Sequence, residues 1–74
     1  MNKLRRKELA RAMGLISEAR SIIEEVRDEE QEAFDNLPEA FQTGSRGEEM
    51  EDIIYNLEEI IEGLEDAEDT IEDI

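Results

Sequence analysis

The chain has 74 residues, enough for one small domain, and its 23 acidic and 8 basic side chains give a formal net charge of −15 at pH 7. It contains no cysteine and no histidine, which excludes a disulfide framework and removes the commonest metal ligand and general base. No serine or tyrosine has a base near it in a recognisable motif. We therefore expect a protein that is not an enzyme and that holds no metal or cofactor.

The charge is distributed unevenly along the chain. Residues 1–20 carry a net charge of +4, residues 21–47 of −6 and residues 48–74 of −13. The basic residues at the start are not followed by an apolar run, as a signal peptide requires, and no segment is long and apolar enough to cross a membrane. These features predict a cytoplasmic protein without a membrane partner.

The first predicted element is a helix over about residues 3–35. Its apolar positions recur in alternating steps of three and four, the spacing of a helix that packs against another helix. These positions are Leu9, Ala12, Ile16, Ala19, Ile23, Val26, Glu30, Ala33 and Leu37. Glu30 is the one charged member, and we expect its carboxylate to reach solvent or to fix the register, with contact to a partner as the alternative.

A connection is predicted over about residues 37–45. Pro38 lacks a backbone donor and restricts Leu37, which ends the first helix. Phe41 is expected to fold back over the end of the helices. Ser45 and Glu48 have the spacing of a capping box that would open a second helix.

The second helix is predicted over about residues 46–73. Its apolar positions also alternate in steps of three and four. They are Met50, Ile53, Leu57, Ile60, Leu64, Ala67, Ile71 and Ile74. From Glu48 to Ile74 there are thirteen acidic residues and no basic one, so tertiary packing has to stabilise a helix that repels itself in isolation.

The two sets of apolar positions match when the helices run antiparallel. Position 33 then faces 50, position 23 faces 60 and position 9 faces 74, and small residues such as Ala19 stand opposite large ones such as Leu64. The sequence thus predicts an all-α fold, a two-helix antiparallel coiled-coil hairpin forming a single domain over residues 1–74. Basic residues of the first helix would then pair with acidic ones of the second: Arg5, Lys7, Arg11 and Arg20 with Glu62, Asp66, Asp69 and Asp73.

Further apolar residues lie outside these positions and widen the apolar surface beyond what two helices can bury. They are Met13, Leu15, Ile22, Phe34, Ile54 and Ile61. We interpret them as an oligomer or partner face. Self-association into a four-helix bundle or a larger helical oligomer is the favoured reading, and the alternative is that a different protein covers the face.

Two groups of residues are candidate contacts for a ligand or partner. The connection offers Gln42, Ser45, Arg46 and Gly47, where a lone arginine near a helix start could clamp a phosphate or an acidic side chain. The basic end offers Arg5, Arg6, Lys7 and Arg11, which could hold phosphate. Each group also has a structural reading, as helix caps or as ion pairs to the acidic second helix.

Part of the sequence resembles a known group of proteins. The run from Arg27 to Glu39, which includes Asn-Leu-Pro-Glu, is followed by Phe41-Gln42 and by Ser-Arg-Gly-Glu-Glu-Met over residues 45–50. These segments resemble a family of small uncharacterised acidic proteins from phages and mobile elements of Gram-positive bacteria. The resemblance covers about residues 27–74 and implies a phage protein located in the host bacterial cytoplasm.

Three functional hypotheses follow. In the first, the protein inhibits a bacterial host or defence protein by stoichiometric binding, with its carboxylates mimicking DNA phosphates as one version. In the second, an oligomeric sponge sequesters an anionic nucleotide signal at Arg46 or at the basic end. In the third, the protein is a structural or assembly component. Direct binding of nucleic acid is not expected, because the charge is strongly negative.

Overall fold

The computed structural model describes residues 1–74 and is all-α, with three helices and no strand. Helix α1 spans Lys3–Asp35, α2 spans Glu39–Gln42 and α3 spans Ser45–Glu72. The bounds of α1 and α3 agree with the two long helices expected from the sequence. None of the helices combines the length and apolar character needed to cross a bilayer.

Both ends of α1 are set by local hydrogen bonds. At its start, the backbone N–H of Arg5 donates to the side-chain oxygen of Asn2 over 2.9 Å, which satisfies one of the free donors of the first turn. At its end, the N–H of Asn36 donates to the carbonyl of Glu32 over 3.0 Å. Pro38 follows two residues later, and its missing donor prevents α1 from continuing.

The connection contains the short helix α2, where the sequence predicted a loop. The carbonyl of Pro38 accepts hydrogen bonds from the N–H groups of Phe41 and Gln42, at 2.8 and 3.1 Å. Proline fits the start of a helix because its own N–H would have no partner there. The expectation for Phe41 was wrong: on this single turn its ring points outward and is 56% exposed.

The N-cap of helix α3 lies one residue earlier in the chain than the sequence predicted. The N-cap is Gly44, in an extended conformation, and no side chain caps the helix. Its carbonyl accepts from the N–H of Glu48 over 3.1 Å. Ser45 is already inside the helix, so its hydroxyl does not form the predicted capping box with Glu48.

Contacts connect α1 and α3 at several points along the two helices. Near the free ends of both helices, Arg6 donates to the carbonyl of Ile74, and further along, Arg20 binds Glu68. Close to the connection, Phe34 of α1 and Ile54 of α3 line the same groove. The Cα trace measures 58 × 15 × 12 Å, so the molecule is a thin rod.

The packing between α1 and α3 differs from the predicted register by a rotation of the helices. We expected Ile54 and Ile61 to lie outside the contact, but they are the two buried hydrophobic residues, 7% and 6% exposed. Conversely, Val26, Ala33, Ile53 and Ile60 were expected inside, and all four are exposed. We call the residues that face the partner helix the inner stripe. They are Leu9, Met13, Ile16, Arg20, Ile23, Arg27, Glu30, Phe34 and Leu37 on α1, and Gly47, Met50, Ile54, Leu57, Ile61, Leu64, Glu68 and Ile71 on α3.

The physical reason lies in neighbouring pairs of side chains. Ile53 and Ile54 are adjacent, as are Ile60 and Ile61, so either member continues the three-four spacing through Met50, Leu57 and Leu64. On α1 the rotation replaces Ala12 by Met13 and Ala33 by Phe34. The larger side chains bury more apolar surface, and this favours the observed register.

Candidate functional site

The candidate residues Gln42 and Gly47 hold the connection together. The side-chain amide of Gln42 donates to the carbonyls of Phe34 and Leu37, both at 3.1 Å, and thereby joins the connection to the end of α1. Gly47 is buried, and a Cβ atom built on it would lie 2.0 Å from the carbonyl oxygen of Gln42. Both residues therefore have a structural role in the turn.

The other two candidates of the connection, Ser45 and Arg46, are exposed on the first turn of α3. The side chain of Arg46 forms no ion pair and no hydrogen bond with another residue. Its guanidinium is available to solvent or to a partner. It is the one basic group among the residues of α3.

The basic end is exposed and loosely arranged. Arg6 Nη1 donates to the carbonyl of Ile74 over 3.2 Å, and Arg11 Nη1 lies 3.5 Å from a carboxylate oxygen of Glu8 on its own helix. Arg5 and Lys7 form no ion pair. The predicted pairs with Glu62, Asp66, Asp69 and Asp73 are absent, because fixing long exposed side chains in water costs about as much as the attraction returns.

One ion-pair network does connect the two helices, through Arg20. Its Nε and Nη2 donate to the two carboxylate oxygens of Glu68, at 2.6 and 3.3 Å, and its Nη1 donates to Glu24 over 2.7 Å. The hydrogen bond to Glu68 raises the pKa of Arg20 above its ordinary value, so the guanidinium stays charged. Such bidentate pairing adds geometric specificity to the attraction between the charges. Glu68 was not predicted as the partner of Arg20, because the apolar spacing placed the neighbouring Ala67 in the contact.

Carboxylates cover much of the exposed surface of α3. Of the thirteen acidic residues after Gly47, only Glu68 is in an ion pair. Two rows with seven-residue spacing run beside each other and are acidic at every position: Glu51, Glu58, Glu65 and Glu72, and Asp52, Glu59, Asp66 and Asp73. All eight side chains are exposed. No group of three or more acidic residues is arranged to hold a metal ion.

The predicted oligomer or partner face divides into two parts. Leu15 and Ile22 are exposed, at 57% and 55%. Met13 lines a groove with Ile71, and Phe34 lines one with Ile54, so both lie between the helices. With Ile54 and Ile61 buried, four of the six predicted residues belong to the contact within the chain.

No protein-family model matches this chain, and neither a curated protein nor a solved structure is similar to it.

Proposed function

We propose that this protein is a non-enzymatic inhibitor, encoded by a phage or mobile element, that binds a bacterial host or defence protein in the cytoplasm. Its carboxylate rows on α3 would occupy a basic groove that otherwise receives nucleic acid. The observation that supports this is the density of unpaired charge along α3.

The spacing of the carboxylates is close to that of phosphates in DNA. Thirteen acidic residues stand between Glu48 and Ile74, and with a rise of about 1.5 Å per residue this is roughly one charge per 3 Å of helix. One strand of B-DNA carries a charge about every 3.4 Å along its axis. A groove whose basic side chains are spaced for phosphates would therefore meet carboxylates at a similar interval.

Rigidity strengthens this argument. The carboxylates project from one continuous helix of 28 residues that is held against α1, so their backbone positions are ordered before binding. A preordered charge pattern avoids the entropy cost that a flexible acidic tail pays on binding. The mimic would need no equivalent of the nucleobases, because affinity for nucleic acid comes largely from the charge of the phosphate backbone.

The two long helices also suggest how the molecule is assembled. We propose that α1 and α3 form an antiparallel coiled-coil hairpin, and that hairpins associate into a four-helix bundle or a larger helical oligomer. The inner stripe supports the first part, since it repeats in three-four steps along both helices. The scarcity of buried residues, 3 of 74, supports the second.

The test is capture and displacement. The immobilised protein is exposed to a bacterial lysate at low salt, and bound proteins are eluted with double-stranded DNA, with salt, or with an uncharged polymer. We expect nucleic-acid-binding proteins to be captured, DNA to displace them in competition, and affinity to fall steeply as salt rises.

Two matched triple variants give the control. Glu51→Gln, Glu58→Gln and Glu65→Gln remove three charges from one row of α3, whereas Glu18→Gln, Glu25→Gln and Glu32→Gln remove three exposed charges of the same spacing from α1. Capture should weaken at least about tenfold more in the α3 variant, since each tenfold step needs only about 1.4 kcal/mol. Equal losses, or partners that DNA does not displace, would contradict nucleic-acid mimicry.

A further inference from the structure

A row of uncharged residues runs along α3 beside its inner stripe. It comprises Ile53, Asn56, Ile60, Gly63, Ala67 and Thr70, again in alternating steps of three and four. Residues 48–74 include thirteen acidic residues, and none of these acidic residues lies on this row. Such an uncharged stripe is the pattern of a second helix-packing surface, because charges are kept from positions that lose contact with water.

Helix α1 carries a corresponding row. It comprises Ala12, Leu15, Ala19, Ile22, Val26, Glu29 and Ala33, with Glu29 as its one charged residue. We call the two rows together the outer stripe. Its large side chains are accessible to solvent: Leu15 and Ile22 as given above, and Ile53 and Ile60 at 42% and 47% exposure.

Both rows of the outer stripe lie on the same side of the helix pair. The opposite side is identified by its grooves: Gln31 of α1 shares one with Glu51 and Glu58 of α3, and Ala10 shares another with Glu72. On each helix, these groove residues flank the inner stripe on one side and the outer stripe flanks it on the other. The two rows therefore form one continuous surface that is apolar and nearly uncharged.

We infer that this surface is where a second copy of the chain binds, so that two helix pairs form a four-helix bundle through their outer stripes. The inference rests on the self-association proposed above and adds which surface mediates it. It does not depend on the proposed nucleic-acid mimicry. The area of the surface and the chemistry of its residues argue for a second copy.

The excess surface exposed by the isolated chain is large enough for the interface of a stable dimer. The isolated chain exposes 5704 Å², whereas a folded monomer of its mass, 8.6 kDa, exposes about 4,700 Å² by the usual scaling. The excess of about 1,000 Å² is similar to the roughly 800 Å² that each partner buries in a standard interface. A rod 58 Å long and 15 Å wide offers a side of this size.

The chemistry fits self-association because large and small residues are interspersed on both rows. Leu15 and Ile22 alternate with alanines on α1, and Ile60 is flanked by Asn56 and Gly63 on α3, so two copies of the same surface can interdigitate. A Cβ atom added to Gly63 would meet nothing within 4 Å, so nothing within one chain accounts for glycine in mid-helix. On α3 this surface offers only Asn56, Thr70 and apolar groups, so it has no carboxylate with which a basic partner could pair.

The first experiment measures mass in solution by sedimentation equilibrium. We expect the native protein to have twice the chain mass of 8.6 kDa. Ile22→Glu or Ile60→Glu should raise the dissociation constant of the dimer at least about a hundredfold, so that the variant is a helical monomer. The control is Tyr55→Glu, which adds the same charge at an exposed residue outside the outer stripe and should leave the dimer intact. Circular dichroism checks that each variant is folded.

The second experiment locates the contact by disulfide formation. Because the native chain has no cysteine, only the introduced cysteines can form a disulfide. Oxidation should cross-link Gly63→Cys with itself or with Ile22→Cys, depending on the relative direction of the copies, and should leave Tyr55→Cys largely uncrosslinked. A native protein that stays monomeric overturns the inference, as does a dimer that Ile22→Glu and Ile60→Glu leave intact or that cross-links best through Tyr55→Cys.

Salt separates this inference from the proposed mimicry. Two copies with a charge of −15 each repel one another, so the dimer should tighten as salt increases, whereas binding of the carboxylate rows to a basic groove should weaken. A salt-strengthened dimer without partner capture would support the interface while contradicting the proposed function. Capture by a monomeric protein would do the reverse.

Discussion

Gly47 is the residue on which the turn between the long helices depends most directly. Its backbone does not have a positive φ angle, and neither does that of any other residue. Glycine is needed there for space, because the main chain of Gln42 occupies the position of a Cβ atom. Gln42 in turn donates to the end of α1, so one close contact joins the ends of both long helices.

Replacing this glycine should weaken the fold. Gly47→Ala places a methyl group against the Gln42 backbone and should lower the free energy of unfolding by about 1–3 kcal/mol, the usual cost of overpacking. Gly14→Ala is the matched control, since nothing lies within 4 Å of its added Cβ, and it should raise stability by about 0.5–1 kcal/mol through helix propensity. Urea unfolding measures both. Equal effects of the two substitutions would show that the close contact is not maintained in solution.

The sequence could not reveal these roles at the residue scale. Turn chemistry around Pro38, Gly44 and Gly47 predicted where the chain reverses, since such residues end and begin helices. It left Gln42 and Gly47 as candidate ligand contacts, because a side chain that bridges to the carbonyls of Phe34 and Leu37 depends on distances across the turn. Those distances follow from how α2 is oriented, which no local pattern encodes.

At the scale of helices, the choice between adjacent isoleucines decides which surface is internal. The three-four spacing predicted both long helices and their mutual packing, because this period is the same for either choice. It did not determine the rotation of α3, since Ile53 and Ile54 satisfy the period equally. Arg20 and Glu68 occupy inner positions that an apolar pattern does not count, so the sequence predicted an ion pair from Arg20 to the second helix but not that Glu68 is its partner.

Alanine substitutions at neighbouring positions test the rotation. Ile54→Ala should destabilise the chain by about 2–4 kcal/mol, as expected for a buried isoleucine, because it leaves a cavity between the helices. Tyr55→Ala, at an adjacent side chain that is 62% exposed, should change stability by about 0.5 kcal/mol or less. Thermal unfolding at one protein concentration checks this. A larger loss from Tyr55→Ala would mean that α3 is rotated from the orientation described.

At the scale of the whole molecule, electrostatic repulsion opposes folding. The chain carries −15 in a rod only 15 Å across, and few acidic groups are paired. Raising NaCl from about 0.01 M to about 0.1 M shortens the screening length from about 30 Å to about 10 Å. The midpoint of thermal unfolding should therefore rise by several degrees.

The Glu51→Gln, Glu58→Gln and Glu65→Gln variant provides the comparison, because it has less repulsion to screen and its midpoint should respond less to salt. The opposite sign is also informative. A midpoint that falls with salt would mean that attractive pairs such as Arg20 and Glu68 outweigh the repulsion among the remaining carboxylates.

Folding also redistributes the charge along the rod. By laying α3 back along α1, it brings the basic first residues beside the acidic last ones, so the half containing residues 1–20 and 60–74 has six basic and nine acidic groups. The half with the connection has two basic and fourteen acidic groups. Both halves are negative, at −3 and −12, so the molecule has a strongly asymmetric charge along its 58 Å length. In the field of a positively charged surface it experiences a torque that turns the connection toward that surface before the two touch.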